Sequence, residues 1–282
     1  VVHLAWLFQP THDPMTTWRA NVIGSSRLFE AAAGARVPTL VHASSIGAYS
    51  PAPGRVVDES WPTHSLPSAG YGREKAYVER LLDTVEARHP EMRVVRLRPG
   101  FIFKAAAATA QRRLFLGPLF PGSLARPGLL PVVPLPRELR FQALHTEDAA
   151  EAYLLAVRSD VRGAFNLAAE PVLDGPTLAA VLEARFVPVP SVLVRSALAA
   201  AWHAHLLPAD PKLFDLVLGL PLLDTTRART LLGWTPTRSG ADALSEMLHG
   251  LAEGAGGSTP PLAGDSPAGR LHEISTGVGE QP

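Results

Sequence analysis

Hydrophobic residues in the first hundred positions follow two alternating patterns. The short apolar runs Val1–Phe8, Thr39–Ala43 and Arg93–Leu97 read as buried strands, the first ended by Pro10. Between them, Trp18, Val22, Leu28, Phe29 and Ala32 recur every three to four places within 13–34. Ala76, Val78, Leu81 and Leu82 do the same within 71–88. That spacing predicts two amphipathic helices, the first closed by Gly34 as a C-terminal cap. Strand, helix, strand, helix, strand in this order implies a parallel sheet with right-handed crossovers, an α/β doubly wound domain. The stretch 50–67, rich in Pro, Gly, Ser and charge, reads as a surface loop.

Beyond residue 100 the periodicity loosens. The 104–140 segment is proline-rich and shows no clear repeat. A strand over 141–145, a helix over 147–157 and a strand over 164–167 follow. Helices are predicted near 176–185, 191–206, 225–232 and 241–251. From Ala252 onward Gly, Ser, Pro and Thr dominate, and a mobile tail is expected. The expected organisation is a partial nucleotide-binding domain over 1–103 and a smaller mixed substrate region over 104–251. Within that region, 141–168 returns to the first sheet, and 252–282 forms the tail.

Composition narrows the functional classes. With 46% hydrophobic and 18% charged residues among 282, the chain is long and apolar enough for a sizeable core. Its 26 basic and 26 acidic residues cancel, which gives no nucleic-acid footprint. Zero cysteines exclude disulfides, thiolate nucleophiles and cysteine zinc sites, and agree with a cytoplasmic location. No secretory signal is visible. The most apolar helical stretch, 192–207, is interrupted by Arg195, His203 and His205 and is too short and polar to span a bilayer. The opening residue is Val1, already in an apolar run, which leads us to expect that part of the domain precedes it.

Candidate chemistry gathers at the strand ends. Ser44 and Ser45 follow one buried strand, and Pro99 and Gly100 end the next. In open parallel sheets, ligands bind beyond the carboxyl ends of the strands. Tyr71 and Lys75 stand one turn apart at the start of a helix and share a face. A phenol ionises near 10, too high for proton transfer at neutral pH. An ammonium ~4 Å away at an effective dielectric of ~20 contributes about 4 kcal/mol toward the phenolate. Ser45 can hold a substrate oxygen against the phenol. The set is suited to moving a proton on or off an alcohol while a hydride moves to or from a cofactor.

These residues give the chain its resemblance to the NAD-dependent epimerase/dehydratase family, the extended short-chain dehydrogenases with a Rossmann-like sheet. The matching segments run in order: Val2-His3-Leu4-Ala5, Asn21-Val22-Ile23-Gly24-Ser25, Ser44-Ser45 through Tyr49, Tyr71 with Lys75, and Leu97-Arg98-Pro99-Gly100. They continue with the 144–152 helix start and Leu231-Leu232-Gly233-Trp234-Thr235-Pro236. By that resemblance Tyr71 is the acid/base and Ser45 orients the substrate. Lys75 binds ribose hydroxyls and lowers the tyrosine pKa. Leu4, Ala5, Asn21, Ser44, Pro99 and Gly100 lie on the cofactor side. The implied cofactor is NAD or NADP, the substrate a nucleotide-linked sugar, and the assembly a homodimer through helices 13–34 and 71–88.

The chain also departs from that pattern. The family's Gly-x-x-Gly-x-x-Gly turn, which places pyrophosphate on a helix N-terminus, occurs nowhere in it. About three strands of the family fold are therefore expected to be missing. The chain alone should hold cofactor poorly, and Val1–Phe8 should form an open sheet edge. Phe103-Lys104 replaces the family's Tyr-Gly-Pro. A carbonyl or steroid-type reductase on the same scaffold is the rival enzyme reading. A non-catalytic cofactor sensor or an inert fragment is the rival outside enzymes.

Other residues read as structural. His3 and His42 are expected to be buried and hydrogen-bonded, and Thr146 or Asp148 to cap a helix beside His145. Trp18, Trp61, Trp202 and Trp234 are expected in packing. Arg112-Arg113 reads as a solvated basic pair, with a substrate phosphate as its other use. No Gly-x-Ser-x-Gly elbow marks a hydrolase.

Overall fold

Four parallel strands carry the site, in the order Val2–His3, Thr39–Ala43, Arg93–Pro99, Gly163–Leu167. The computed structural model describes residues 1–8 and 13–275. Val41 lies between Val2 and Val95, and Ala43 beside Leu97, so Ser44 and Gly100 emerge at one edge. The central strands are buried on both faces because helices cover both, as a parallel sheet requires. On one side Phe29, Val78 and Leu82 pack on Leu40 and Val94. On the other, Ala149, Ala152 and Ala156 of the Thr146–Arg158 helix pack on Val41, Val95, Leu97 and Phe165.

The first strand is shorter than expected. Only Val2–His3 pair with the neighbouring strand, and Val1, Val2 and Leu4 are exposed, so Val1–Phe8 is an edge rather than a buried strand. Pro10 lies outside the described residues. The 14–34 helix is continuous but widens to π geometry over Trp18–Ile23, a local form frequent at functional positions.

The second region holds a three-stranded sheet, Phe101–Phe103, Arg140–His145 and Ala169–Asp174, on which the Gly240–Glu253 helix lies. Strand 140–145 thus belongs to this smaller sheet, while 163–167 returns to the larger one. The supposed 50–67 loop contributes a short strand, Val56–Val57, paired with Leu222–Leu223. The 104–140 segment contains helical turns over 105–116 and strand Val132–Pro136, which pairs with Arg185–Val189. Helices Ser191–His203 and Pro211–Gly219 complete one wall, and the former buries none of its residues.

The expected mobile tail is structured as far as Ser275: a Pro260–Leu262 turn and a Pro267–Ser275 helix fold back on the body. Residues 276–282 lie outside the described residues. Arg112 anchors this return. It is buried, donating to Gly117 O at 2.8 Å and to Glu273 at 2.7 and 3.1 Å, and is therefore neither a solvated residue nor free for phosphate. Arg113 donates to Pro261 O.

The two regions are joined at Asp148. Trp234 Nε1 donates to Asp148 O at 2.8 Å, and Thr237 N and Oγ1 donate to its carboxylate at 2.8 and 2.7 Å. The helix cap comes instead from His145, whose Nδ1 accepts from Glu147 N at 3.2 Å. Among the described residues no helix is long and apolar enough to cross a membrane.

Candidate active site

Ser45 stands where strand 39–43 gives way to an Ile46–Ala48 3-10 turn. Its extended backbone caps that turn, with Oγ accepting from Gly47 N at 3.0 Å. The start of helix Gly70–Arg88 presses against this turn. A Cβ on Gly72 would lie 2.8 Å from Gly47 O and 2.0 Å from Ser65 Oγ, so only glycine allows this approach. The contact sets the Tyr71 ring against Gly47, where an added Cβ would lie 3.0 Å from its Cε1, and places the phenol in the same cavity as Ser45, whose Oγ accepts from Gly47 N. Because backbone opposes the added methyl, Gly72→Ala is expected to cost about 1–3 kcal/mol in thermal unfolding. Turnover should fall with it as Tyr71 separates from Ser45, and an unchanged melting temperature would contradict the packing described.

Burial pushes the Tyr71 phenol above its ordinary value, and the Ser45 hydrogen bond pulls the other way. The expected contribution of Lys75 is not found. Its ammonium donates to Ala43 O at 2.7 Å and lies 3.4 Å from the centre of the Trp6 ring, but 5.9 Å from that of Tyr71. The cation therefore rests on an indole face, a favourable electrostatic contact. Burial lowers the Lys75 pKa to about 7, against opposing pulls from Glu79 and Glu74. Trp6 also meets the Tyr71 ring edge-on at 6.1 Å, and Phe8 at 4.8 Å.

Beneath this pair lies a charged layer. Glu79 is buried and accepts from Ser44 Oγ at 2.6 Å, from Arg98 Nε and Nη2 at 2.8 and 2.9 Å, and from Arg96 at 3.1 Å. Arg98 also donates to Tyr49 Oη at 2.9 Å, and Tyr49 donates to Asn166 Oδ1 at 2.6 Å. The layer fixes Ser44, and through it the strand end that carries Ser45. His3 bonds Ser25 at 2.9 Å as expected, but both ring nitrogens of His42 are without a hydrogen-bond partner among the described residues. Burial drives the His42 pKa well down, so that ring is neutral.

A cavity of about 740 Å³ opens on the pair. Of the residues expected in the site, Leu4, Ser44, Ser45, Tyr71, Lys75, Pro99 and Gly100 line it. Ala5 and Asn21 do not. Ala5 is exposed, and Asn21 is buried, bonded to Leu7 N and O at 2.6 and 3.0 Å and to Glu74 at 2.8 Å. Asn21 thus shapes the cleft through the backbone that carries Trp6. Trp6, Phe8 and the wall from 198 to 220 also line the cavity and are not marked by any motif. The donor set suits the nicotinamide ribose end of a dinucleotide. Lys75 uses one backbone acceptor and has donors to spare for ribose hydroxyls, beside a serine and a phenol. For the pyrophosphate end the chain supplies no glycine-rich turn.

The sequence pattern of the NAD dependent epimerase/dehydratase family matches residues 1–168. An uncharacterised Mycobacterium tuberculosis protein is 27% identical over 237 residues, 82% of this chain and 59% of that protein, so the chain spans little more than half of that relative. A 4-hydroxy-2-methyl-3-oxo-4-farnesyl-3,4-dihydroquinoline-1-oxide ketoreductase of Stigmatella aurantiaca is 39% identical over 88 residues, 31% of this chain and 26% of the enzyme. In structure, a Thermus thermophilus UDP-glucose 4-epimerase complexed with NAD superposes with a TM-score of 0.61 at 21% identity. The match covers 89% of this chain and 76% of that one, a likeness of fold.

Proposed function

The chain belongs to the NAD-dependent epimerase/dehydratase family, and from that premise we propose that its cleft oxidises or reduces a substrate hydroxyl or ketone. The observation that carries this reading is the convergence of Ser45, Tyr71 and Lys75 on one cavity at the sheet's carboxyl edge. Tyr71 is the acid/base at the substrate oxygen. Ser45, its oxygen fixed by Gly47 N, orients that oxygen. Lys75 would hold the ribose, and Pro99 and Gly100 would flank the nicotinamide, with NAD the cofactor supported by the NAD-bound neighbour. Bound there, the nicotinamide would accept or donate the hydride.

The protonation states favour one direction. A buried, uncharged phenol is a proton donor at neutral pH, and a proton is what a carbonyl oxygen takes up on reduction. The ketoreductase relative fits that direction. A nucleotide sugar, after the name of a neighbour of like fold, stands as the second reading of the molecule that bears the oxygen.

The reading is tested by following NADH and NADPH absorbance with a panel of ketones, in the protein as its organism makes it. Millimolar cofactor is used so that weak binding does not hide turnover. Reduction of at least one ketone, preferring NADH, is expected. A folded protein inert toward every ketone with both cofactors would leave only the sensor or inert-fragment reading.

A further inference from the structure

The substrate half of the cavity has a composition that the proton-transfer pair does not explain. Away from Ser45 and Tyr71 its walls are Phe101 and Phe103 from one strand, Phe115 from the 112–116 turn, Phe141, and Leu198 and Phe214 from the helices that follow. Among the described lining residues the groups that carry charge are Lys75 and Asp210. Lys75 is held at Ala43 O and the Trp6 ring, on the cofactor side. Asp210 caps the 211–219 helix, accepting from Lys212 N at 2.8 Å, and presents a carboxylate. Of the basic side chains next to lining residues in sequence, Arg112 is committed to Glu273 and Gly117 O, and Lys212 lines the adjoining cleft rather than this cavity. The Gln111 amide, also in the lining, donates to Ile102 O at 3.1 Å.

A nucleotide sugar brings a diphosphate, and recognition of phosphate calls for guanidinium or ammonium groups or a helix N-terminus. The helix N-terminus at this wall, that of 211–219, is already capped by Asp210, whose carboxylate would repel phosphate. Taking phosphate charges out of water without counter-charge opposes binding. A hydrocarbon body, by contrast, gains by leaving water for these walls. The volume of about 740 Å³ lies within the range of small-molecule sites.

We propose that this cavity takes a neutral, largely hydrocarbon secondary alcohol or ketone, with its one oxygen at Ser45 and Tyr71 and its apolar body among Phe101, Phe103, Phe115, Leu198 and Phe214. The proposal rests on the reading of Ser45 and Tyr71 as the proton-transfer pair, but it concerns binding and is testable apart from turnover.

The test is titration of the protein with progesterone, as a neutral polycyclic ketone, and with UDP-glucose, following the Trp6-containing fluorescence. Saturable binding of progesterone at micromolar concentration is expected, with none for UDP-glucose up to millimolar. Phe214→Arg should weaken progesterone at least tenfold, and Phe214→Ala should weaken it less. UDP-glucose binding more tightly than progesterone would overturn the proposal, as would a folded Phe214→Arg protein that binds progesterone unchanged. Progesterone binding without turnover of any ketone would leave the substrate class standing and defeat the redox reading, so the two failures are distinct.

Discussion

Tyr71→Phe is expected to lower ketone reduction by about 10²–10⁴-fold, the usual contribution of a positioned acid/base. The ring keeps its edge contacts with Trp6 and Phe8, so the fold should be undisturbed. What is lost is the proton donor that shares the cavity with Ser45. Since burial raises the Tyr71 pKa, the acid form is present throughout neutral pH and is lost only as pH rises through that elevated value. Reduction should accordingly be flat through neutrality and decline on the alkaline side. The measurement is kcat against pH for both proteins at matched melting temperature. Near-normal turnover by the phenylalanine variant would remove Tyr71 from the mechanism.

The second large effect concerns stability. Arg98→Met removes both guanidinium bonds to Glu79 and the donor to Tyr49. A buried carboxylate would remain with only Arg96 and Ser44 for partners. Breaking a buried pair in this way costs about 3–5 kcal/mol. For a chain of this size that is on the order of 10 °C in melting temperature. Burial alone would raise the Glu79 pKa, but the Arg98 hydrogen bonds and charge overcome it and hold the carboxyl at about 2. A carboxylate whose pKa is depressed in the fold stabilises fully above its ordinary value of 4.5 and ceases to do so as pH falls toward 2. The native protein should therefore lose stability in that acid window, and the variant, whose Glu79 pKa is no longer so depressed, should lose less of it there. Thermal melts from pH 3 to 7 decide the matter: parallel curves for the two proteins would show that Arg98 does not hold the Glu79 charge.

The parts of this site legible in the sequence are those with a local signature. Thr39–Ala43 is an apolar run ended by two serines, and Tyr71 and Lys75 share a helix face, so their meeting at a sheet edge follows from period and connectivity. What escaped is set by contacts between distant segments. The spacing of Lys75 places it on the right face but does not say where its ammonium points, and Trp6, beyond the first strand, offers it a ring face. Arg96 and Arg98 break the apolar run of their strand, and their burial depends on Glu79 across the crossover. The Pro211–Gly219 helix begins at a proline, which suits a first helical turn but supplies no periodicity of its own. Ordering of the glycine- and serine-rich stretch after Ala252 depends on the internal arginine Arg112, which composition does not reveal. The strand 56–57 is too short for any periodicity to show.

The joint at Asp148 contrasts with the way the Leu198 wall of the cavity is held. One jaw is clamped: Trp234, Thr237 and the backbone of Arg238 all close on a single aspartate of a helix packed against the main sheet. The opposite jaw carries Ser191–His203, which buries no residue and reaches the neighbouring helix through an exposed Arg195–Asp215 pair at 2.8 Å. Exposed pairs of this kind add little holding strength. The 191–203 helix is therefore held by fewer fixed polar contacts than the segment clamped at Asp148.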